Sequence, residues 1–207
     1  VRALIEARLR DLPRARQPVR SMRIEGDNAH SEDLRQRLKG PHWRAAVLIG
    51  LIERDADMHV LLTRRATHLA RHAGQVAFPG GRIEPDDRDP EAAALREAHE
   101  EIGLPPDHVE VVGRIGDHVT GTGFIITPVI GFVQPGFEAT PDPTEVAGVF
   151  EVPLSVVFAP NALSRCVVET SGGARLHGLE LNYAGERIWG ATAAMLSAFK
   201  QILYETE

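Results

Sequence analysis

Glu97, Glu100 and Glu101 stand at spacings i, i+3 and i+4. At about 100° per residue such positions share one face of a helix, while Leu95, Ala98 and Ile102 share the other. Three carboxylates crowded on one face repel one another unless a cation neutralises them, and a hard, oxygen-seeking ion such as Mg²⁺ or Mn²⁺ does so directly. Arg96, one turn before Glu100, is placed to orient one of the acids. All three lie in the C-terminal half of the segment, where the helix dipole disfavours negative charge, so helix stabilisation does not account for them. An isolated Glu-x-x-Glu-Glu is most often a solvated face. Here a Gly, an Arg, three Glu and a further Gly recur at fixed offsets, an occurrence of order 10⁻⁵ at ordinary residue frequencies.

The element carrying these acids is well delimited. Asp89-Pro90-Glu91 supplies an N-cap followed by proline at the first helical position, and Gly103 stops the helix, so it spans about 90–102. Ahead of it, Ala45–Ile52 and Met58–Thr63 read as a hairpin across the acidic loop Glu53–Asp57. The polar, glycine-containing stretch Arg64–Gly81 reads as a functional loop. Further strands are expected at 109–115, 124–133 and 146–151, with a weaker pair at 166–168 and 176–181. A closing helix over 191–204 repeats Met195, Phe199, Ile202 and Leu203 on one face. Residues 1–40 read as a leader of short helices, with Leu4, Ile5, Leu9 and Leu12 at near-helical spacing and a Pro/Arg-rich turn over 13–20. They form an accessory arm to a domain over 41–207. The class is mixed α/β.

The 207 residues suffice for one domain with a full core. With 29 acidic against 23 basic residues the net charge is −6, which opposes binding to a nucleic acid backbone. The lone Cys166 excludes an intrachain disulfide and a thiolate zinc cluster, and reads as a small buried hydrophobe. The apolar run Ala45–Ile52 is far shorter than a bilayer span, and the first residues alternate charge with Leu and Ala instead of forming a signal core. A cytoplasmic protein without a membrane partner is expected. Oligomeric state is left open.

The stretch Gly81, Asp87, then Arg96-Glu97-Ala98-His99-Glu100-Glu101-Ile102-Gly103-Leu104 resembles the signature of the Nudix hydrolases. It departs in having Asp87 for Glu and one additional residue before Arg96. The resemblance implies an α/β/α sandwich with a mixed β-sheet and hydrolysis of a diphosphate linked to another moiety. It further implies Glu97 and Glu101 as principal metal ligands assisted by Glu100, with Arg96 holding the carboxylates. Upstream, Leu61-Leu62-Thr63-Arg64-Arg65 through Gly74 to Phe78-Pro79-Gly80-Gly81 resembles the signature of the coenzyme A pyrophosphatase branch, with Ala66 in place of Ser and Ala70 in place of Arg, Arg71 beside it. The additional residue before Arg96 is usual in that branch. Coenzyme A, or a derivative, is the small-molecule substrate this implies, and 3′,5′-ADP and 4′-phosphopantetheine the products.

A diphosphate with a further 3′-phosphate needs cationic or amide donors, and Arg64, Arg65, Arg71 and His72 are candidates, with Gly80 and Gly81 permitting close backbone approach. Glu100 and Glu145 are both candidates for the general base, and Gly121–Phe124 is either a substrate-facing segment or a plain turn. His68 and His72 have helical metal-pair spacing, but their glycine-bounded loop favours a structural or substrate-facing role. The same acidic helix would also serve a pyrophosphatase acting on ADP-ribose or a nucleoside triphosphate, or persist in a non-catalytic nucleotide-sensing module. No dinucleotide fingerprint, phosphate-loop lysine motif, nucleophile elbow or zinc-protease pair of histidines occurs.

Overall fold

A computed structural model describes all residues except 11, 13–17, 41, 56, 171 and 205–207. The N-terminal part contains helix α1 (Arg2–Arg10), strands β1 (Val19–Arg20) and β2 (Arg23–Glu25), and helix α2 (Ala29–Arg37). Strands β3 (Trp43–Arg54), β4 (Asp57–Arg65), β5 (Val76–Ala77) and β6 (Gly80–Arg82) lead to helix α3 (Pro90–Ile102). After a 3-10 turn at Pro106–His108 come β7 (Val109–Arg114), β8 (His118–Val119), β9 (Phe124–Val133) and β10 (Val146–Pro153). The chain ends with the short helix α4 (Leu154–Val157), strands β11 (Ser164–Glu169), β12 (Arg175–Tyr183) and β13 (Glu186–Trp189), and helix α5 (Ala191–Tyr204).

The main sheet runs β1-β8-β9-β3-β4-β10, with β5 on β4, β6 on β3 and β7 on β9. Its axis is the parallel pairing of β3 with β9, from Trp43 opposite Phe124 to Ile52 opposite Val133. Strand β3 is buried from Ala45 to Ile52, as a strand covered on both faces must be. Alternation then sorts its side chains: Val47, Ile49 and Leu51 join a core with α1 and α5, whereas Ala46, Leu48 and Ile52 join a core with Ala93, Ala94, Ala98 and Ile102 of α3. The result is an α/β/α sandwich on a mixed sheet. A second, smaller sheet of β11, β12 and β13, with β2 on β12, lies beside it.

The expected hairpin, the helix at 90–102, the strand at 124–133 and the closing helix are all present. The loop at 64–81 is interrupted by β5 and β6, which pair with β4 and β3. The N-terminal arm is more than short helices, since β1 pairs with β8 in the main sheet and β2 with β12 in the second. Ile5 and Leu9 of α1 are buried in the core. The turn expected at 13–20 lies mostly outside the described residues. Among those described, no helix is long and apolar enough to cross a membrane.

Candidate active site

Helix α3 is held at both ends. The Asp89 carboxylate accepts from Ala92 N–H at 2.7 Å, and Gly103 closes the other end in the left-handed region at φ 68°. Between these caps the three glutamates are graded in burial. The Glu101 residue is 3% exposed, and the side chains of Glu97 and Glu100 are 16% and 58% exposed. The single acidic face expected from spacing is therefore a ramp from core to solvent, and Glu101 sits beside Ala98 and Ile102 at its inner edge.

Glu101 is compensated by two groups. Its Oε2 accepts the Gly80 N–H at 3.1 Å, and its Oε1 lies 3.5 Å from Arg65 Nη1. These do not offset desolvation, which pushes the carboxyl up to about 7, with the negative charges of Glu97 and Glu145 acting in the same direction. Burial raises Glu97 as well, again helped by Glu100 and Glu145 and opposed by Arg96. Arg96 is the organiser. Its Nε and Nη2 donate to Asp87 at 3.1 and 2.9 Å, its Nη1 to Glu97 at 3.0 Å and Glu100 at 3.1 Å, and its Nη2 to the Arg82 carbonyl at 3.0 Å. The guanidinium in turn holds Asp87 below the usual carboxylate range. Among the described residues no three acidic, His or Cys side chains already enclose a single point tightly enough to hold a metal; Arg96 lies between Glu97 and Glu100.

The two glycines before the helix act through space they leave. A Cβ on Gly81 would lie 2.4 to 2.5 Å from the Glu97 carboxylate, and one on Gly80 (φ 153°) would lie 2.4 Å from the Ala46 carbonyl oxygen. Gly81 thus makes room for an acid, and Gly80 lets β6 lie against β3 while its amide reaches Glu101.

Glu145 is brought in by the turn after Thr140. Thr140 N–H and Asp142 N–H donate to the Ile102 and Glu101 carbonyls, each at 2.9 Å, and the Asp142 carboxylate accepts from Thr144 N–H and Oγ at 2.8 and 2.7 Å. From the other side, Ala66 N–H donates to the Glu145 carbonyl at 2.8 Å and His68 Nε2 lies 3.0 Å from the Thr144 carbonyl. The Glu145 side chain is exposed and has no hydrogen bond or ion pair among the described residues. His68 thus has a structural part that helical spacing with His72 did not reveal.

The remaining candidates separate. Alternation on β4 puts neighbours on opposite faces: Arg65 faces α3, whereas Arg64 faces the α5 side and pairs with Glu186 of β13. Of the two arginines expected to meet substrate phosphates, Arg65 thus lies beside the acidic helix and Arg64 is paired away from it. Arg71 and His72 are exposed in the loop between β4 and β5, where His72 adopts φ 57° and its Nδ1 lies 2.8 Å from Gln75 Oε1. Thr120, Thr122 and Phe124 close a hydrogen-bonded turn, with Thr120 Oγ1 2.9 Å from Thr122 Oγ1. One feature was not singled out in the sequence: the Arg82 guanidinium sits over the exposed Trp43 ring at 4.3 Å and the Phe124 ring at 5.6 Å. These aromatics become neighbours only through the β3–β9 register.

Known proteins resemble this chain in sequence over about three quarters of its length. The NUDIX domain family matches residues 41–165. A protein of Enterobacter sp. (strain 638) named "Uncharacterized Nudix hydrolase NudL" is 41% identical over 154 residues, covering 74% of this chain and 79% of its own length. One of the same name from Yersinia pestis (strain Pestoides F) is 40% identical over 159 residues, covering 76% and 78%. The crystal structure of a Nudix hydrolase from M. smegmatis, RenU, aligns with a TM-score of 0.48 at 28% identity over 56% of this chain and 73% of that one. With its domain match spanning more than half of the sequence and its acid-bearing helix packed on a mixed sheet, the chain belongs to the Nudix hydrolase family.

Proposed function

We infer that the chain hydrolyses the diphosphate linkage of coenzyme A or a derivative, yielding 3′,5′-ADP and 4′-phosphopantetheine. The observation that carries the reading is the junction of two sequence runs. Arg65 and the Gly80 amide, from the stretch resembling the coenzyme A pyrophosphatase branch, both meet Glu101 of the acidic helix. That stretch is not required for hydrolysis of ADP-ribose or nucleoside triphosphates, so its integration into the site favours coenzyme A.

The donor chemistry fits a divalent ion. Burial and mutual repulsion drive Glu97 and Glu101 toward protonation, and a hard cation relieves both. Glu97, Glu101 and Glu100 are the residues that would hold Mg²⁺ or Mn²⁺. When bound, such an ion supplies neutralisation of phosphoryl charge and a more acidic water. Arg96 keeps Glu97 and Glu100 side by side, and Asp87 fixes the far edge of that guanidinium. Arg65 and Arg71 provide positive charge for the substrate's phosphates, with His72 and the backbone amides around Gly80 and Gly81 close to that path. Of the two base candidates, Glu100 is engaged by Arg96, whereas the Glu145 carboxylate is unengaged among the described residues and near enough to Glu97 and Glu101 to perturb both. Glu145 is therefore assigned to take the proton of the attacking water. Trp43, backed by Arg82, offers a ring for the nucleotide base.

The test is a panel of coenzyme A, ADP-ribose, NADH and dGTP incubated with the protein and Mg²⁺, with products identified by mass spectrometry. Release of 3′,5′-ADP and 4′-phosphopantetheine as the preferred reaction supports the assignment. Preference for another substrate overturns it.

A further inference from the structure

A cavity of about 860 Å³ lies on the other side of the sheet from α3, between β1, β2 and α2 of the arm, β11 and β12 of the second sheet, and α5. This volume is within the roughly 300–1,000 Å³ typical of small-molecule sites. Its walls come almost entirely from residues 19–39 and 165–201, mostly outside the domain match at 41–165. It is also remote from the acids. From His118 on its wall the register passes to Ile126, Ala45 and Arg82 on successive strands, about 14 Å at ~4.8 Å per step.

The charge of this cavity is opposite to that of the protein. Arg20, Arg23, Arg35, Lys39 and Arg165 line it, and among the described residues no Asp or Glu does. The chain as a whole carries −6. Arg35 is partly answered by Glu32 at 3.6 Å and Asp27 at 4.0 Å, and His177 bonds Glu25. Arg20, Arg23, Lys39 and Arg165 meet no carboxylate within 4.0 Å among the described residues. The rest of the wall is apolar, from Met22, Ile24, Leu38 and Leu179, with polar groups at Ser197 and Gln201. Positive charge lining a concave, partly apolar setting, with no carboxylate on its wall among the described residues, favours an anion there.

We propose that this cavity is a second binding site, for a small organic phosphate whose phosphate meets Arg20, Arg23, Lys39 and Arg165 and whose apolar body packs against the α5 and β12 wall. The site is independent of the hydrolytic reading and neither supports nor needs it.

The experiment is calorimetric titration of ADP into the full chain in EDTA, comparing wild type, Glu101→Gln and the double variant Arg23→Glu/Arg165→Glu. One ADP binds per chain in wild type and in Glu101→Gln with the same affinity, binding weakens as NaCl is raised, and the double variant binds at least about ten-fold more weakly. Absence of heat with wild type, wild-type affinity in the double variant, or loss of binding in Glu101→Gln overturns the proposal. Should the double variant not fold, the milder Arg23→Gln/Arg165→Gln decides: ADP binds it more weakly than wild type if the proposal holds, and wild-type affinity refutes it.

Discussion

Replacing Gly81 with alanine tests whether the position of one carboxylate governs turnover. The added methyl would stand 2.4 to 2.5 Å from the Glu97 Cδ, Oε1 and Oε2, and ordinary contact begins at 3.4 Å, so the carboxylate must retreat by about 1 Å. A misplacement of that size at a reacting centre costs on the order of 10²-fold in rate. The group that yields is the end of a flexible side chain, so the fold should survive. The neighbouring change Gly80→Ala serves as the contrast. Its methyl meets the Ala46 carbonyl oxygen at 2.4 Å and Val47 Cα at 2.6 Å, and neither can step aside inside the central strand. Overpacking and the left-handed backbone together cost a few kcal/mol, at about 2–4 °C of Tm each for a chain of this size. Initial rates of coenzyme A hydrolysis and thermal melts by circular dichroism read the two effects separately. A folded Gly81→Ala protein with turnover within about two-fold of wild type would refute the claim that Glu97 must occupy that place.

Glu97→Gln and Glu101→Gln each lower turnover by about 10³-fold or more while leaving the circular dichroism spectrum unchanged, since each removes charge from the position proposed for the cation. Glu101 also couples to stability. Its folded-state pKa of about 7 exceeds the ordinary 4.5, so without metal the folded state binds the extra proton and stability falls as pH rises from about 4.5 through 7. Glu101→Gln should remove that dependence and, in EDTA at pH 8, raise Tm, the gain bounded at about 3 kcal/mol; a Tm that falls equally with pH in both proteins would count against it. Arg64→Ala leaves KM for coenzyme A within about two-fold, whereas Arg65→Ala lowers kcat/KM by about ten-fold or more, and steady-state kinetics on the pair distinguishes the two faces of β4.

The α3 helix was legible because its signals are local. Asp89, Pro90 and Gly103 mark its ends, and the periodicity of its alanines and Ile102 marks its buried face. Strands β3 and β9 were legible from continuous apolar runs, since both are covered on two sides. The two-residue strands β1, β5 and β8 were not, because they exist only by pairing with a longer partner and carry no pattern of their own. The same distinction applies to the site. Helical spacing placed Glu97, Glu100 and Glu101 on a common face, but their grading from core to solvent depends on how α3 sits against β6. Arg64 and Arg65 were treated alike because adjacency in sequence hides the alternation of a strand. His68 and Trp43 acquire partners only through the Asp142–Glu145 turn and the β3–β9 register, and neither position has a local signature.

Strands β1 and β2, separated by only two residues, pair with distant partners in different sheets, Val19 with His118 and Arg23 with His177. Strand β2 cannot dock until β12 has been synthesised, close to the final helix, whereas β1 needs only β8 at His118–Val119, so β2 is late to settle although it precedes most of the chain. In the interval Ile5 and Leu9 lack their burial site, and nascent chains are exposed to aggregation through this apolar stretch. Maturation should accordingly show a slow final phase in which protease sites within residues 18–25 become protected after those of the central sheet.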